Sequence, residues 1–346
     1  MKNKTTVVYH SGDFDGKFCR EIARKFLPDA ELIGWNFGDP PIQWGDGVLY
    51  VLDLPVDEPL GFKFGREPVP KIDLTRIRWL DHHKSSIESH PKDIPGYRID
   101  GVAACRLAWQ WFTMIDGNTP RAGAEIGIPI RPAGVLPMVQ DYKNREVNEP
   151  LAVRLAGEYD IWDKRDPDAE LFQHGLRSRE LTDQDWNILL GSFTKPTIAE
   201  IEAMMDVGHP LDLRPDGTVD ASVSTVKGLL RAGEALQYAR TKENASIIKE
   251  LGFTMHWEGL TFLACNAVRY NSLLFTAGLK PEHDACFGFK WTGNDWSISL
   301  YHAPGKEHHD LSKIAVRFGG GGHAGACGFH SDTLPFGKHN IPLSSR

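Results

Sequence analysis

The chain is poor in cysteine, in positive charge and in long apolar runs, and each shortage excludes something. Its five cysteines (Cys19, Cys105, Cys265, Cys286, Cys327) are scattered without a CxxC pair, which argues against a disulfide framework or a zinc ribbon and fits a reducing compartment. The longest apolar stretches, such as Gly47 to Leu54, fall far short of the roughly 20 residues a membrane-spanning helix needs. With Lys+Arg 39 against Asp+Glu 46, the formal net charge is −7, so no broad basic face draws in nucleic acid. Long duplex is therefore not an expected partner, and an anionic substrate must be held by local cations or metal ions. What remains, 41% hydrophobic and 25% charged residues over 346 positions, is a globular composition with room for two domains. The chain passes directly from Met1-Lys-Asn-Lys4 into a strand-like run, without a signal peptide, and a cytoplasmic protein with no membrane contact is expected.

Short β-branched runs alternate with helical periodicity in the first half, the pattern of a mostly parallel, Rossmann-like α/β sheet, although no nucleotide-binding GxGxxG is present. Strands are predicted at Thr5–Tyr9, Glu31–Trp35, Val48–Leu52 and Arg76–Leu80. Phe18, Ile22 and Phe26 recur every four residues, so 16–27 reads as an amphipathic helix ended by Pro28. Val102–Phe112 also has helical character. From about Lys164 to Ala245 the pattern becomes helices with polar breaks, including Ile198–Met205 and Val223–Arg240. Strands return at Phe253–Trp257, Leu260–Ala267, Ala285–Trp291 and Trp296–His302. A last helix follows, with Asp310 as its expected N-cap, Ile314, Ala315 and Phe318 on its apolar face, and the run Gly319–Gly322 ending it.

Asp/His clusters recur where predicted strands end: His10, Asp13 and Asp15 after the first, Asp53 after the third, Asp81, His82 and His83 after the fourth. In open α/β sheets, ligands bind in the crevice outside the carboxyl ends of the strands, so three strand ends aim at one place. Converging carboxylates repel unless cations neutralise them. Mixed carboxylate and imidazole donors without thiolate suit Mn²⁺, Mg²⁺, Fe²⁺, Co²⁺ or Zn²⁺ in a working site, not a soft structural one. Two such ions could clamp the attacking and leaving oxygens of a phosphoryl displacement. Each cluster alone has a plainer reading: Asp13 and Asp15 would also serve as caps of the next helix, and Asp53 as a turn residue. The joint pattern carries the argument.

These residues resemble the DHH phosphoesterase superfamily, which includes RecJ exonucleases, nanoRNases, cyclic-dinucleotide phosphodiesterases and, more distantly, family II pyrophosphatases. The N-terminal half matches in His10-Ser-Gly-Asp13-Phe-Asp15-Gly16, in Val-Leu-Asp53-Leu and in Trp-Leu-Asp81-His82-His83. The C-terminal half resembles the partner domain called DHHA1, in Asp310-Leu-Ser-Lys-Ile-Ala and Gly319-Gly-Gly-Gly-His323-Ala-Gly-Ala-Cys-Gly-Phe. The resemblance implies an α/β protein with a DHH domain at 1–195, a helical connector at 196–247 and a smaller α/β DHHA1 domain at 248–338.

It further implies two divalent ions, with Mn²⁺ preferred and Mg²⁺, Co²⁺ or Fe²⁺ as substitutes. His10, Asp13 and Asp53 would hold one; Asp15, Asp53, His82 and a fourth-motif aspartate would hold the other, with Asp53 bridging. Asp160 in Gly-Glu-Tyr-Asp-Ile-Trp is chosen for the fourth motif, with Asp141 competing. Asp81 would orient a histidine and His83 would face the scissile phosphate. Gly320, Gly321, Gly322 and His323 would grip the substrate's terminal phosphate or base, the glycines through a nest of backbone N–H groups. His302 and Asn266, with Arg269, Asn271 and Lys306, are candidate helpers. The family's Ser-Leu-Arg stretch is replaced here by Ser299-Leu300-Tyr301-His302, a departure that His302 or Lys306 would have to offset. Trp35, Trp79, Trp109, Trp111 and Trp162 could stack bases, although core packing is the commoner use.

The activity expected is hydrolysis of short single-stranded oligonucleotides to nucleoside 5′-monophosphates, by water activated between two metal ions. Two domains would hold the two ends of a short substrate, and a homodimer is compatible. The alternatives are a cyclic di- or oligonucleotide phosphodiesterase, a 3′-phosphoadenosine 5′-phosphate phosphatase and, from another class, a non-catalytic nucleotide sensor.

Overall fold

A computed structural model describes residues 4–66, 72–114, 135–191, 221–268 and 270–336, with side chains of 221–223 excepted. The helix expected at 198–205, the boundaries expected at 195 and 338, and Arg269 lie outside the described residues. The chain divides into two compact units, Met1–Glu234 and Ala235–Arg346.

In the first unit, five strands form one parallel sheet: β1 (Thr6–His10), β2 (Glu31–Trp35), β3 (Leu49–Leu52), β4 (Ile77–Asp81) and β5 (Gly96–Arg98). Their spatial order is β2-β1-β3-β4-β5, which places a topological switch point between β1 and β3. Burial alternates with the pleat. Val7, Tyr9, Tyr50, Leu52 and Leu80 face one core, while Val8, Leu49, Val51, Ile77 and Trp79 face another. The first core lies under helices α1 (Phe14–Phe26) and α3 (Ala104–Met114). The second is closed by Ile42, Trp44, Leu54, Leu60, Phe64 and Ile94, which come from connecting segments, so among the described residues helices dominate on one face only.

The short helix α2 (Lys84–Ser89) follows β4, and four further α-helices are described wholly within the unit: α4 (Val139–Lys143), α5 (Leu151–Asp160), α6 (Pro167–Leu176) and α7 (Asp183–Leu189). Helix α8 (Ala221–Leu251) runs across the division between the units.

The second unit holds a six-stranded sheet of β6 (Gly252–Trp257), β7 (Leu260–Asn266), β8 (Ala285–Trp291), β9 (Trp296–His302), β10 (Gly321–His323) and β11 (Ala326–Ser331). Their order is β10-β11-β9-β8-β7-β6, with β7 and β8 parallel and every other pair antiparallel. Helix α9 (Ser312–Arg317) buries Ile314 and Ala315 as expected, but Leu311 is its N-cap. Asp310 sits one residue too early and accepts a bond from the Ser312 hydroxyl. Gly319, at φ +80°, ends the helix: Gly319 N–H donates to Val316 O (3.0 Å) and Gly320 N–H to Ala315 O (2.9 Å).

Candidate functional site

Each site residue stands where a strand or helix of the first unit ends. His10 is the last residue of β1, Asp53 follows β3, and Asp81 ends β4 with His82 and His83 directly after it. Asp13 and Asp15 begin α1, and Asp160 is the last residue of α5. Gly16 lets α1 start this close to β1, since a Cβ there would lie 1.8 Å from the His10 carbonyl oxygen. Asp53 adopts the left-handed conformation (φ 59°), which Asp and Asn tolerate better than other non-glycine residues, and its N–H is tied to Leu80 O at 3.0 Å.

The side chains converge into one chain of contacts. His10 Nδ1 lies 3.0 Å from Asp13 Oδ2 and 3.5 Å from Asp53 Oδ2. His82 Nε2 lies 3.3 Å from Asp53 Oδ1, 3.3 Å from Asp160 Oδ2 and 3.7 Å from Asp15 Oδ2. Three groups therefore offer ligand atoms within 4.8 Å of one another: His10 with Asp13 and Asp53, Asp15 with His82 and Asp160, and Asp53 with His82 and His83. Asp53 links the first group to His82, and the third grouping adds His83 to the possible donors. Asp160, not Asp141, reaches this cluster; Asp141 accepts the Met138 N–H at 2.6 Å and caps α4.

The side chains that cap or tie helix starts are the same ones that face the cluster. Asp13 caps α1 through its Oδ1, which accepts the Gly16 N–H at 3.0 Å, leaving Oδ2 toward His10. Buried Asp15 accepts the Ala104 N–H (2.8 Å) and the Cys105 N–H (2.7 Å) at the start of α3. Both carboxylates are oriented by helix termini whose positive ends favour negative charge. Further supports come from Asn36, which the sequence reading missed, and from Asp81, which it named. Asn36 Oδ1 lies 3.1 Å from His10 Nε2, which leaves Nδ1 of the His10 ring toward the carboxylates. Asp81, fully buried, holds His83 Nδ1 at 2.7 Å and accepts the His82 N–H at 2.8 Å. Asn36 follows β2 at the same edge of the sheet, and that position was the available signal. The α3 amides carried none, because any residue type supplies an N–H.

Electrostatics show a cluster balanced by protons where cations would sit. Burial alone would lower the His10 and His82 pKa values, but the facing carboxylates outweigh it and raise both to about 10. Burial, reinforced by the Asp53 charge, raises Asp15 to about 7, and burial reinforced by the Asp15 charge pushes Asp160 well up. Asp53 goes the other way: against burial, His10 and His82 hold it down at about 2. His83 is raised by Asp81 despite burial. The buried Asp53 Oδ2 has no hydrogen-bond partner. An orphaned carboxylate oxygen among oxygen and nitrogen donors fits hard or borderline divalent cations, and no thiolate enters the set.

The candidate residues of the second unit are more dispersed. Gly319 and Gly320 spend their amides on the end of α9, and Gly321–His323 pair with β11, so the glycine run is a helix cap entering a strand and not an open nest. Gly321, Gly322 and His323 are exposed on that edge. His302, at the end of β9, donates from Nε2 to His309 O. Asn266 ends β7 and is exposed. Lys306 Nζ is engaged by Asp284 at 3.2 Å, and Asn271 caps a short 3₁₀ turn through Leu273 N–H. Of the tryptophans, Trp35, Trp79, Trp109 and Trp111 are buried, whereas Trp162 is 42% exposed.

No family model and no curated protein matches the sequence. Among solved structures, the DHH domain of a member of a ribosomal-protein family matches with TM-score 0.51 at 11% identity, over 95% of this chain and 83% of that one. The pGpG-specific phosphodiesterase PggH from Vibrio cholerae matches with TM-score 0.40 at 13% identity, over 95% and 93%. Exonuclease RecJ bound to manganese matches with TM-score 0.37 at 11% identity, over 96% and 86%. The chain has the DHH fold. Its first α/β unit has the all-parallel sheet that was expected, and the second unit's sheet is mixed.

Proposed function

We propose that the protein is a metal-dependent phosphodiesterase that hydrolyses short single-stranded oligonucleotides to nucleoside 5′-monophosphates. The observation that carries this reading is the pair of histidine–aspartate groups, His10/Asp13/Asp53 and Asp15/His82/Asp160, brought together by Asp53 at the switch point of a parallel sheet. Divalent ions bound there would neutralise the carboxylates, polarise a phosphoryl oxygen and acidify water at neutral pH. Mn²⁺ is the preferred candidate, held by His10, Asp13 and Asp53 at one position and by Asp15, Asp53, His82 and Asp160 at the other.

The chain's own residues supply the rest. The α3 amides fix Asp15 and Asn36 fixes the His10 ring, so these donors are oriented before any ligand arrives. His83, held through Nδ1 by Asp81 and with a raised pKa, presents Nε2–H as a donor to a phosphoryl oxygen or to the departing ribose oxygen. In the second unit, His323, His302 and Asn266 remain proposed nucleotide contacts, as do Gly320, Gly321 and Gly322, though without the open amide nest first expected of them. A short substrate suits a chain of net charge −7, which gains nothing from a long polyanion.

The test is a comparison of initial rates with Mn²⁺ on pApA, pGpG, a five-nucleotide RNA, cyclic di-AMP and 3′-phosphoadenosine 5′-phosphate. Mononucleotide release fastest from the linear oligonucleotides is expected. Preference for the cyclic substrate or the bisphosphate would replace the substrate assignment, and binding without turnover of any of them would make the protein a sensor.

A further inference from the structure

Two partly exposed aromatic residues adjoin the histidine–aspartate cluster, Phe37 by its ring contact with His10 and Trp162 by its place in the chain two residues past Asp160, and backbone preference does not account for Trp162. Trp162, two residues past Asp160, is 42% exposed and has φ 59°. Its N–H donates to Tyr159 O (3.0 Å) and the following Asp163 N–H to Glu158 O (2.8 Å), the bonding that ends a helix on a left-handed residue. Glycine is the residue that position ordinarily takes, and a bulky side chain there is strained. Arg145 ends α4 in the same conformation, but its guanidinium ties α4 to Glu158 of α5. The Trp162 indole has no such structural return. It meets the Tyr159 ring edge-on at 5.4 Å, and the Lys164 ammonium lies over it at 4.4 Å, while 42% of the residue stays exposed.

Phe37 occupies the corresponding place at the other end of the contact chain, beside His10. It is 55% exposed, on a turn whose backbone is fixed. Asn36 Oδ1 accepts the Phe37 N–H at 3.0 Å, Asp39 Oδ2 accepts the Asn36 N–H at 2.7 Å, and Gly38 closes the turn at φ +97°. Its ring lies edge-on to His10 at 5.9 Å and to Trp35 at 5.6 Å. An exposed apolar ring on a hydrogen-bonded turn next to a candidate ligand is a poor use of a core-forming residue and a good use of a stacking platform.

We propose that Trp162 and Phe37 are the base-stacking platforms of the site, each taking one of the two nucleosides that flank a phosphodiester. This rests on the nucleotide reading above and adds specificity to it. Aromatic faces accept any base, so the protein discriminates weakly among sequences while requiring bases on both sides of the phosphate. Lys164, over the Trp162 ring, places a positive charge near the nucleotide that stacks there.

The test measures equilibrium binding, with Mn²⁺ present, of a slowly hydrolysed phosphorothioate analogue of pApA and of base-free ribose 5-phosphate. Trp162→Gly relieves the backbone strain and Phe37→Ser leaves its turn bonds intact, so both variants should melt no lower than the wild type. Each should weaken binding of the pApA analogue about tenfold, a typical loss for one stacked base, with ribose 5-phosphate unchanged. Wild-type affinity for the analogue in both variants would overturn the assignment; if their sedimentation also changed, the rings would belong to a contact between copies. A wild-type protein that neither binds the analogue nor hydrolyses pApA would overturn the nucleotide reading itself, and the stacking assignment with it.

Discussion

At the scale of single residues, the site is built from side chains that do two things at once. Asp13 caps α1 and points its second oxygen at His10, and Asp15 holds the first amides of α3 while facing His82. Asp81 is the clearest positioning residue, since its buried carboxylate fixes both the His82 backbone and the His83 ring. Replacing it, Asp81→Asn, should lower the His83 pKa, because the carboxylate is what raises it against burial. If His83 works as an acid, the alkaline limb of the rate profile must then move to lower pH, with kcat down by about tenfold or more. An unshifted limb would assign His83 a different role. His323→Ala should cost more on pApA than on an activated small phosphodiester, the signature of a gripping residue. The motif residues themselves were legible in the sequence because ligand chemistry restricts side-chain type. Asn36 and the α3 amides were not, because hydrogen-bond support can be supplied by many residues and by the backbone of any.

Among elements, the strands were the most legible. Glu31–Trp35, Ala285–Trp291 and Trp296–His302 are found at the expected bounds and the other five expected strands differ by a residue or so, because short β-branched and aromatic runs mark them, whereas β5, β10 and β11, which are short or glycine-rich, were not foreseen. Helices α4 and α5 had no counterpart in the sequence reading. Helix α5 contains Gly157, where a Cβ would lie 2.7 Å from the Arg106 side chain, so close packing took precedence over helix propensity and blurred the pattern. The Asp310 cap failed for a related reason: cap preference is local, and Leu311, fully buried, sets where α9 begins. The glycine run did end its helix, but it did so by consuming the amides that a nest would have offered. The element junction that matters most for the site is β1 to α1. Gly16→Ala forces a methyl group against the His10 carbonyl oxygen and should destabilise the fold by about 1–3 kcal/mol, seen as a lower melting temperature in EDTA. An unchanged melting temperature would mean that α1 can retreat from the strand without cost.

For the molecule as a whole, metal binding and proton binding compete for one set of donors. His10 and His82 have pKa values of about 10 in the folded, metal-free cluster, against 6.5 ordinarily. Their protonated contacts therefore stabilise the metal-free fold fully below pH 6.5 and are lost as the pH rises toward 10. Asp15, raised from 3.8 to about 7, works in the same sense, since keeping it ionised in the folded state becomes a burden as the pH passes from about 4 to 7. Metal binding must displace these protons. The rise in melting temperature on adding Mn²⁺ should therefore grow between about pH 6.5 and 9, and titration in buffers of different ionisation enthalpy should show proton release. A metal effect independent of pH would place the binding elsewhere. No described helix is long and apolar enough to cross a membrane.

The most direct measurement is metal add-back to stripped protein with pApA as substrate, comparing the wild type with Asp53→Asn. Asparagine tolerates the left-handed conformation that Asp53 adopts, so the variant should fold and lose only the charged oxygen shared within the cluster. AMP release that is absent in EDTA, restored by Mn²⁺ in the wild type and abolished in Asp53→Asn is the predicted result. Turnover that persists in EDTA, or near-normal turnover in a folded Asp53→Asn protein, would contradict the account.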